Sequence, residues 1–136
     1  MRVDGACHCG FVTFTGEVDP ATAGVCHCTD CQAMTGSAFR ATVRAAAGSF
    51  RLLGGEPTIY VKKTAESGTL REHAFCPRCG TSIYATLPGP DPKPYSLRIG
   101  TLRPREQLVP RAQIWTRSRV AWLAELASVP GAEKQT

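Results

Sequence analysis

Cysteine is the residue type in this chain best placed to do chemistry. Seven cysteines fall into three clusters, Cys7-His8-Cys9, Cys26-His27-Cys28-Thr29-Asp30-Cys31 and Cys76-Pro77-Arg78-Cys79. Thiols at these spacings read as metal ligands. Cys76 and Cys79 sit three apart and precede Gly80, which permits the positive φ of a zinc knuckle and lets backbone amides face the sulfurs. Cys7 and Cys9 are the pair that matches them in type, and together the four sulfurs make up a closed tetrahedral zinc site. Such an ion joins parts of the chain separated by 66 intervening residues, and its binding free energy is folding free energy. If Cys7 and Cys9 lie in an extended segment, they share a face and His8 points away. Disulfides fit poorly, because cysteines two apart in a strand would close a strained ring and an odd total leaves one thiol over.

Cys26, Cys28 and Cys31 offer three thiolates within six residues. A second zinc held there lacks one ligand, and two readings of the fourth position stand side by side. His8, His27, His73 or Asp30 closes it and makes a second structural site, although alternation along an extended segment turns His27 away. Otherwise the position exchanges water and substrate, and the ion acts as a Lewis acid or holds a thiolate nucleophile.

Strands must position these clusters. Phe11–Thr15, Ala38–Val43, Ser49–Leu53, Thr58–Val61, Thr69–Phe75, Thr81–Ala85 and Tyr95–Ile99 are rich in β-branched and aromatic residues, and glycine- and proline-containing turns separate them. The pattern predicts an all-β protein. Helical candidates are a turn over Thr29–Thr35 and a segment over Arg117–Leu126, where Val120, Leu123 and Ala124 recur at helical spacing. With 136 residues, 43% of them apolar, the chain is expected to form a single zinc-binding domain over 1–129, with a flexible tail over 130–136. The amino terminus has no signal-peptide-like apolar stretch and no 18-residue apolar run occurs, so a soluble, cytoplasmic protein with reduced thiols is expected. The formal charge of +5 falls to about +2 once seven thiolates hold two zinc ions. The basic balance therefore compensates for metal sites, and neither nucleic acid nor membrane is an expected partner.

The residues resemble a known family. Gly5-Ala6-Cys7-His8-Cys9-Gly10-Phe11-Val12-Thr13-Phe14, then Cys26 to Gln32 with Gly36-Ser37 and Phe39, then Phe75 to Thr81, Gly100-Thr101-Leu102 and Ile114 to Arg119 with Trp122, are similar to the glutathione-dependent formaldehyde-activating enzymes, also called the centromere-protein-V domain family. The resemblance implies an all-β zinc fold of two small packed antiparallel sheets with short helical turns. It implies a structural zinc on Cys7, Cys9, Cys76 and Cys79, and a catalytic zinc on Cys26, Cys28 and Cys31. It also implies carbon–sulfur lyase-type chemistry, with a thiol such as glutathione adding to an aldehyde such as formaldehyde. The alternative is a non-catalytic zinc module that binds a protein partner.

Other residues admit both a functional and a plain reading. Arg103, Arg105, Arg111, Arg117 and Arg119 could receive an anionic substrate but read first as a solvated face. Trp115 and Trp122 read as core. His73 is a strand histidine with a local hydrogen bond, or a general acid if it reaches the second zinc. Thr29, Gln32, Thr35 and Ser37 are candidates to line a pocket beside the three-cysteine loop.

Overall fold

The computed structural model describes residues 1–135. Strands β1 (Arg2–Ala6), β2 (Thr13–Glu17) and β5 (Arg51–Gly54) form a three-stranded sheet in the order β1-β2-β5. The second sheet contains β3 (Gly24–Cys26), β4 (Arg40–Ala45), β6 (Thr58–Lys62), β7 (Arg71–Phe75), β8 (Ser82–Thr86), β9 (Tyr95–Arg98) and β10 (Ala112–Ile114), in the order β10-β3-β4-β9-β8-β7-β6. The expected all-β, two-sheet architecture is present, with α1 (Thr29–Thr35) and several 3₁₀ turns. Pairing is antiparallel except for β10, which runs parallel to β3 because the chain returns from β9 through two 3₁₀ turns before pairing.

Strand alternation divides the large sheet into two chemically different faces. Val43, Leu97, Tyr84 and Ala74 are successive cross-strand partners from β4 to β7, and all four are buried in the core. The opposite face carries the partners Thr42 and Arg98, together with the row Arg44, Ser96, Ala85 and His73. The small sheet covers the apolar face with Val3 and Phe14. Phe50 links the layers, stacking on Tyr95 at 4.4 Å and meeting Tyr84 edge-on at 5.0 Å. Gly5 pairs with Phe14 across β1 and β2, and the Phe14 ring occupies the space a Cβ at Gly5 would need. Burying one such ring contributes about 1.5–3 kcal/mol.

The helix expected over Arg117–Leu126 is instead two 3₁₀ segments, Thr116–Ser118 and Ala121–Ser128, separated by the extended residues Arg119 and Val120. No apolar stripe packs there: Trp122, Leu126 and Val129 are exposed, and short helices without tertiary packing are marginal. Neither tryptophan belongs to the core, Trp115 being 38% and Trp122 56% exposed. Of the tail expected over 130–136, residues 130–135 have no regular structure and Thr136 lies outside the described residues. Among the described residues no helix is long and apolar enough to cross a membrane.

Candidate active site

The first and third clusters meet. Contrary to the extended segment expected, Cys7 to Gly10 form a tight turn, in which the Gly10 amide donates to the Cys7 carbonyl (3.1 Å) and the Cys7 amide to that of Val12 (3.0 Å). This turn also delays β2 to Thr13. His8 is exposed, and its amide donates to Thr81 Oγ1 (3.1 Å). The opposing knuckle is closed by the Gly80 amide on the Cys76 carbonyl (2.8 Å), with Gly80 at φ 78°. Amides of Val12 and Arg78 donate to the sulfurs of Cys7 (3.2 Å) and Cys76 (3.4 Å).

All four sulfurs lie within 4.8 Å of one another, with Cys7–Cys9 at 3.6 Å and Cys9–Cys76 at 3.8 Å. Sulfurs about 2.3 Å from a tetrahedral zinc are about 3.8 Å apart, so the donor set fits that ion. The thiols do not ionise alike. The Thr81 hydroxyl, with the amides of Thr81 and Cys9, draws Cys79 down to about 5. The Phe11 amide favours the Cys9 thiolate, yet desolvation and the three neighbouring sulfurs push Cys9 up to about 11. Holding all four as thiolates calls for a cation between them.

The middle cluster is presented by three elements. Cys26 ends β3, paired with Arg40 on one side and Ile114 on the other. Cys28 caps α1, its Sγ accepting from the Cys31 amide (3.3 Å), and Cys31 lies in the first helical turn. Gln32 Nε2 donates to the carbonyls of His27 (2.8 Å) and Ser118 (3.0 Å), tying the loop to the chain after Trp115. Asp30 accepts from Thr64 Oγ1 (2.7 Å) and pairs with Lys62 (3.0 Å). The three sulfurs lie within 4.8 Å of one another, and among the described residues no histidine or carboxylate joins them.

None of the candidates for the fourth position joins the three sulfurs. His27 is buried with Nε2 2.8 Å from Gln113 Oε1. Asp30 holds Lys62 and Thr64, and His8 lies beside Thr81. His73 Nδ1 accepts from Arg40 (3.1 Å) and Arg98 (3.0 Å). Burial and these two guanidiniums push His73 down to about 3, so it is neutral at pH 7 and does not meet the expectation of a general acid. Burial pushes the Cys31 thiol up to about 12; Arg40 opposes this, while Cys28 and Cys26 reinforce it. Burial also opposes ionisation of Cys28, but the Cys31 amide, the two sulfurs and Lys62 outweigh it and lower its pKa. These thiols too fit a bound cation.

Two cavities open on the three sulfurs. One, of about 560 Å³, is lined by Cys26, Cys28 and Cys31 with Thr29, Trp115 and Arg117 among others. The other, of about 370 Å³, reaches Cys26 and Cys31 from the outer face of the large sheet, past Arg40, His73 and Arg98. Trp115 takes φ 56°, a left-handed conformation rare for an aromatic residue, and Arg117 lies 5.1 Å from its ring.

Of the polar residues expected at this pocket, Thr29 is there. Gln32 and Ser37 line a separate depression with Val120 and Trp122, and the Thr35 hydroxyl bonds to the Cys31 carbonyl (2.7 Å). Arg103 and Arg105 flank Cys7 instead, and all five arginines of the basic stretch are exposed. The buried arginines, Arg40 and Arg98, were not anticipated. Strand alternation puts Arg40, Thr42 and Arg44 on one face with Ser96 and Arg98, but carries no sign that this face is covered.

The family model for the glutathione-dependent formaldehyde-activating enzyme matches residues 2–118. The chain belongs to this family. The match to the formaldehyde-activating enzymes spans all seven cysteines and Trp115 and stops short of Trp122. A crystal structure of a Rhodobacter sphaeroides protein is similar in fold, with a TM-score of 0.56 and 25% identity over 76% of this chain and 88% of that one. No curated protein sequence gives a significant match.

Proposed function

We propose that the chain is a zinc-dependent carbon–sulfur lyase-type enzyme that adds a small thiol such as glutathione to an aldehyde such as formaldehyde. Cys7, Cys9, Cys76 and Cys79 hold a structural zinc, and Cys26, Cys28 and Cys31 hold the working one. The observation that supports this reading is the set of three convergent sulfurs, without a fourth protein ligand among the described residues, at the meeting of two cavities.

Zinc in such a site either lowers the pKa of a thiol or polarises a carbonyl. The chain's own residues position the reactants. Cys28 and Cys31 are fixed by α1, Cys26 by β3, and Gln32 locks the loop joining them. Trp115 and Thr29 are part of the wall of the larger cavity, whose volume of about 560 Å³ accommodates a peptide-sized thiol beside the sulfurs. In the reaction the thiol sulfur bonds to the carbonyl carbon, the π pair moves to oxygen, and that oxygen takes up a proton to replace the one the thiol releases.

Exchange spectroscopy by NMR on mixtures of glutathione and formaldehyde tests the reading. Metal-loaded protein should accelerate exchange between free thiol and adduct, and Cys28→Ser should not. Equal exchange rates with wild type, Cys28→Ser and no protein would leave a zinc module without this activity.

A further inference from the structure

The smaller cavity is strongly cationic. It is lined by Arg40, Arg44, Lys62, Arg71 and Arg98 and by no carboxylate. Lys62 is paired with Asp30, but among the described residues neither Arg40 nor Arg98 pairs with an acid. Arg40 and Arg98 are only 5% and 7% exposed, and both point a guanidinium nitrogen at the same neutral acceptor, His73 Nδ1. Because Nδ1 accepts from both, the ring proton sits on Nε2. That N–H is buried without a partner, as is Arg40 Nε.

An unpaired buried cation costs several kcal/mol, and two side by side add mutual repulsion. Burial and the Arg40 charge push Arg98 down to about 9, which leaves it protonated at pH 7. The Cys31 sulfur interacts electrostatically with both arginines, and three thiolates around a dication sum to a single negative charge. That leaves a positive excess in a cavity with orphaned donors.

The placement of the two cavities indicates which reactant bears the complementary charge. Both reach Cys26 and Cys31 and share Lys62, Arg71 and Ile114, but Thr29, Trp115 and Arg117 line only the larger, and Arg40, His73 and Arg98 only the smaller. The larger has mixed charge, Asp30 and Glu66 with Lys62, Arg71 and Arg117, and suits a peptide thiol that carries an ammonium as well as carboxylates. The smaller, cationic one is left for the electrophile. Formaldehyde, uncharged, has no use for it.

We infer that the Arg40–His73–Arg98 cavity binds the carboxylate or phosphate of an anionic aldehyde, so that an oxo acid or phosphorylated aldehyde is preferred to formaldehyde as the electrophile. This rests on the thiol-addition reading for its reaction but not for its binding site. The bonds that change are those of thiol addition: the C–S bond forms, the carbonyl π pair moves to oxygen, and that oxygen takes up a proton to replace the one the thiol releases. The anionic group is held and unaltered.

Calorimetric titration of the metal-loaded protein with acetate, the isosteric neutral acetamide and inorganic phosphate tests the site directly. An anion should bind at least about ten-fold more tightly than acetamide, the scale of a charge-assisted hydrogen bond. Acetate tighter than phosphate assigns an oxo acid; the reverse assigns a phosphorylated aldehyde. Arg98→Met should abolish the preference with zinc content unchanged. Arg44→Met, at an exposed position where folding is not at risk, should weaken it several-fold. Acetate, phosphate and acetamide binding alike would overturn the inference, as would undiminished anion binding in both variants. Loss of zinc from Arg98→Met with anion binding intact would make the arginines counter-charges for the thiolates and overturn it too. The thiol-addition reading is checked separately by NMR with glutathione and either glyoxylate or acetaldehyde. Anion binding without addition to either aldehyde refutes that reading and leaves the site standing; addition without anion binding does the reverse.

Discussion

Lowering the pH from 7 to 5 should destabilise this protein through His73 by an amount that its surroundings set. The ring is 8% exposed and faces two guanidiniums, which together with burial depress its pKa to about 3. In the unfolded chain the same group titrates near 6.5. The folded pKa is the lower one, so between the two values the unfolded state binds more protons and stability rises with pH. The contribution is complete above about pH 6.5 and is lost as pH falls toward 3. At about 1.36 kcal/mol per pH unit, the step from pH 7 to pH 5 removes about 2 kcal/mol. Cysteine ligands also protonate in acid, so the informative quantity is a difference. Urea unfolding of wild type and His73→Gln at both pH values isolates it, since glutamine keeps an acceptor for the arginines and does not titrate. The variant should show a pH loss smaller by about 2 kcal/mol. Identical losses in the two proteins would refute the placement of a neutral histidine between two buried cations.

Cys79→Ser removes one of four convergent sulfurs; a structural zinc is worth about 10–16 kcal/mol in zinc-finger peptides, as much as a typical domain's whole stability. The variant should be unfolded or insoluble, and a cooperative thermal melt like wild type's would count against a structural ion there. Gly5→Ala places a methyl where the Phe14 ring lies and should cost about 1–3 kcal/mol by overpacking. Denaturant melts check this, an unchanged midpoint being the contrary result.

The strands that could be read from sequence were those long enough to show alternation and aromatic or β-branched enrichment, β4 and β6 to β9 most clearly. Gly24–Cys26 and Ala112–Ile114 are three residues each and exist only because they pair with one another and with β4. Arg2–Ala6 contains Asp4 and Gly5, poor strand formers, and Gly5 is there because Phe14 needs the space. The grouping of cysteines was visible because spacing alone brings sulfurs together on one turn. Burial of Arg40 and Arg98 was not, because alternation places them on the face away from the core. Only tertiary structure reveals that Cys26 and Cys31 of the three-cysteine cluster lie against that face beside Arg40, His73 and Arg98.

The division of the seven cysteines into one site that holds the fold and one that does chemistry is tested most directly by counting metal on freshly prepared protein, wild type against Cys28→Ser. Wild type should hold two zinc ions per chain and the variant one, with the strand-rich circular dichroism and the cooperative melt retained. A variant that unfolds, or whose zinc count equals wild type's, would contradict it.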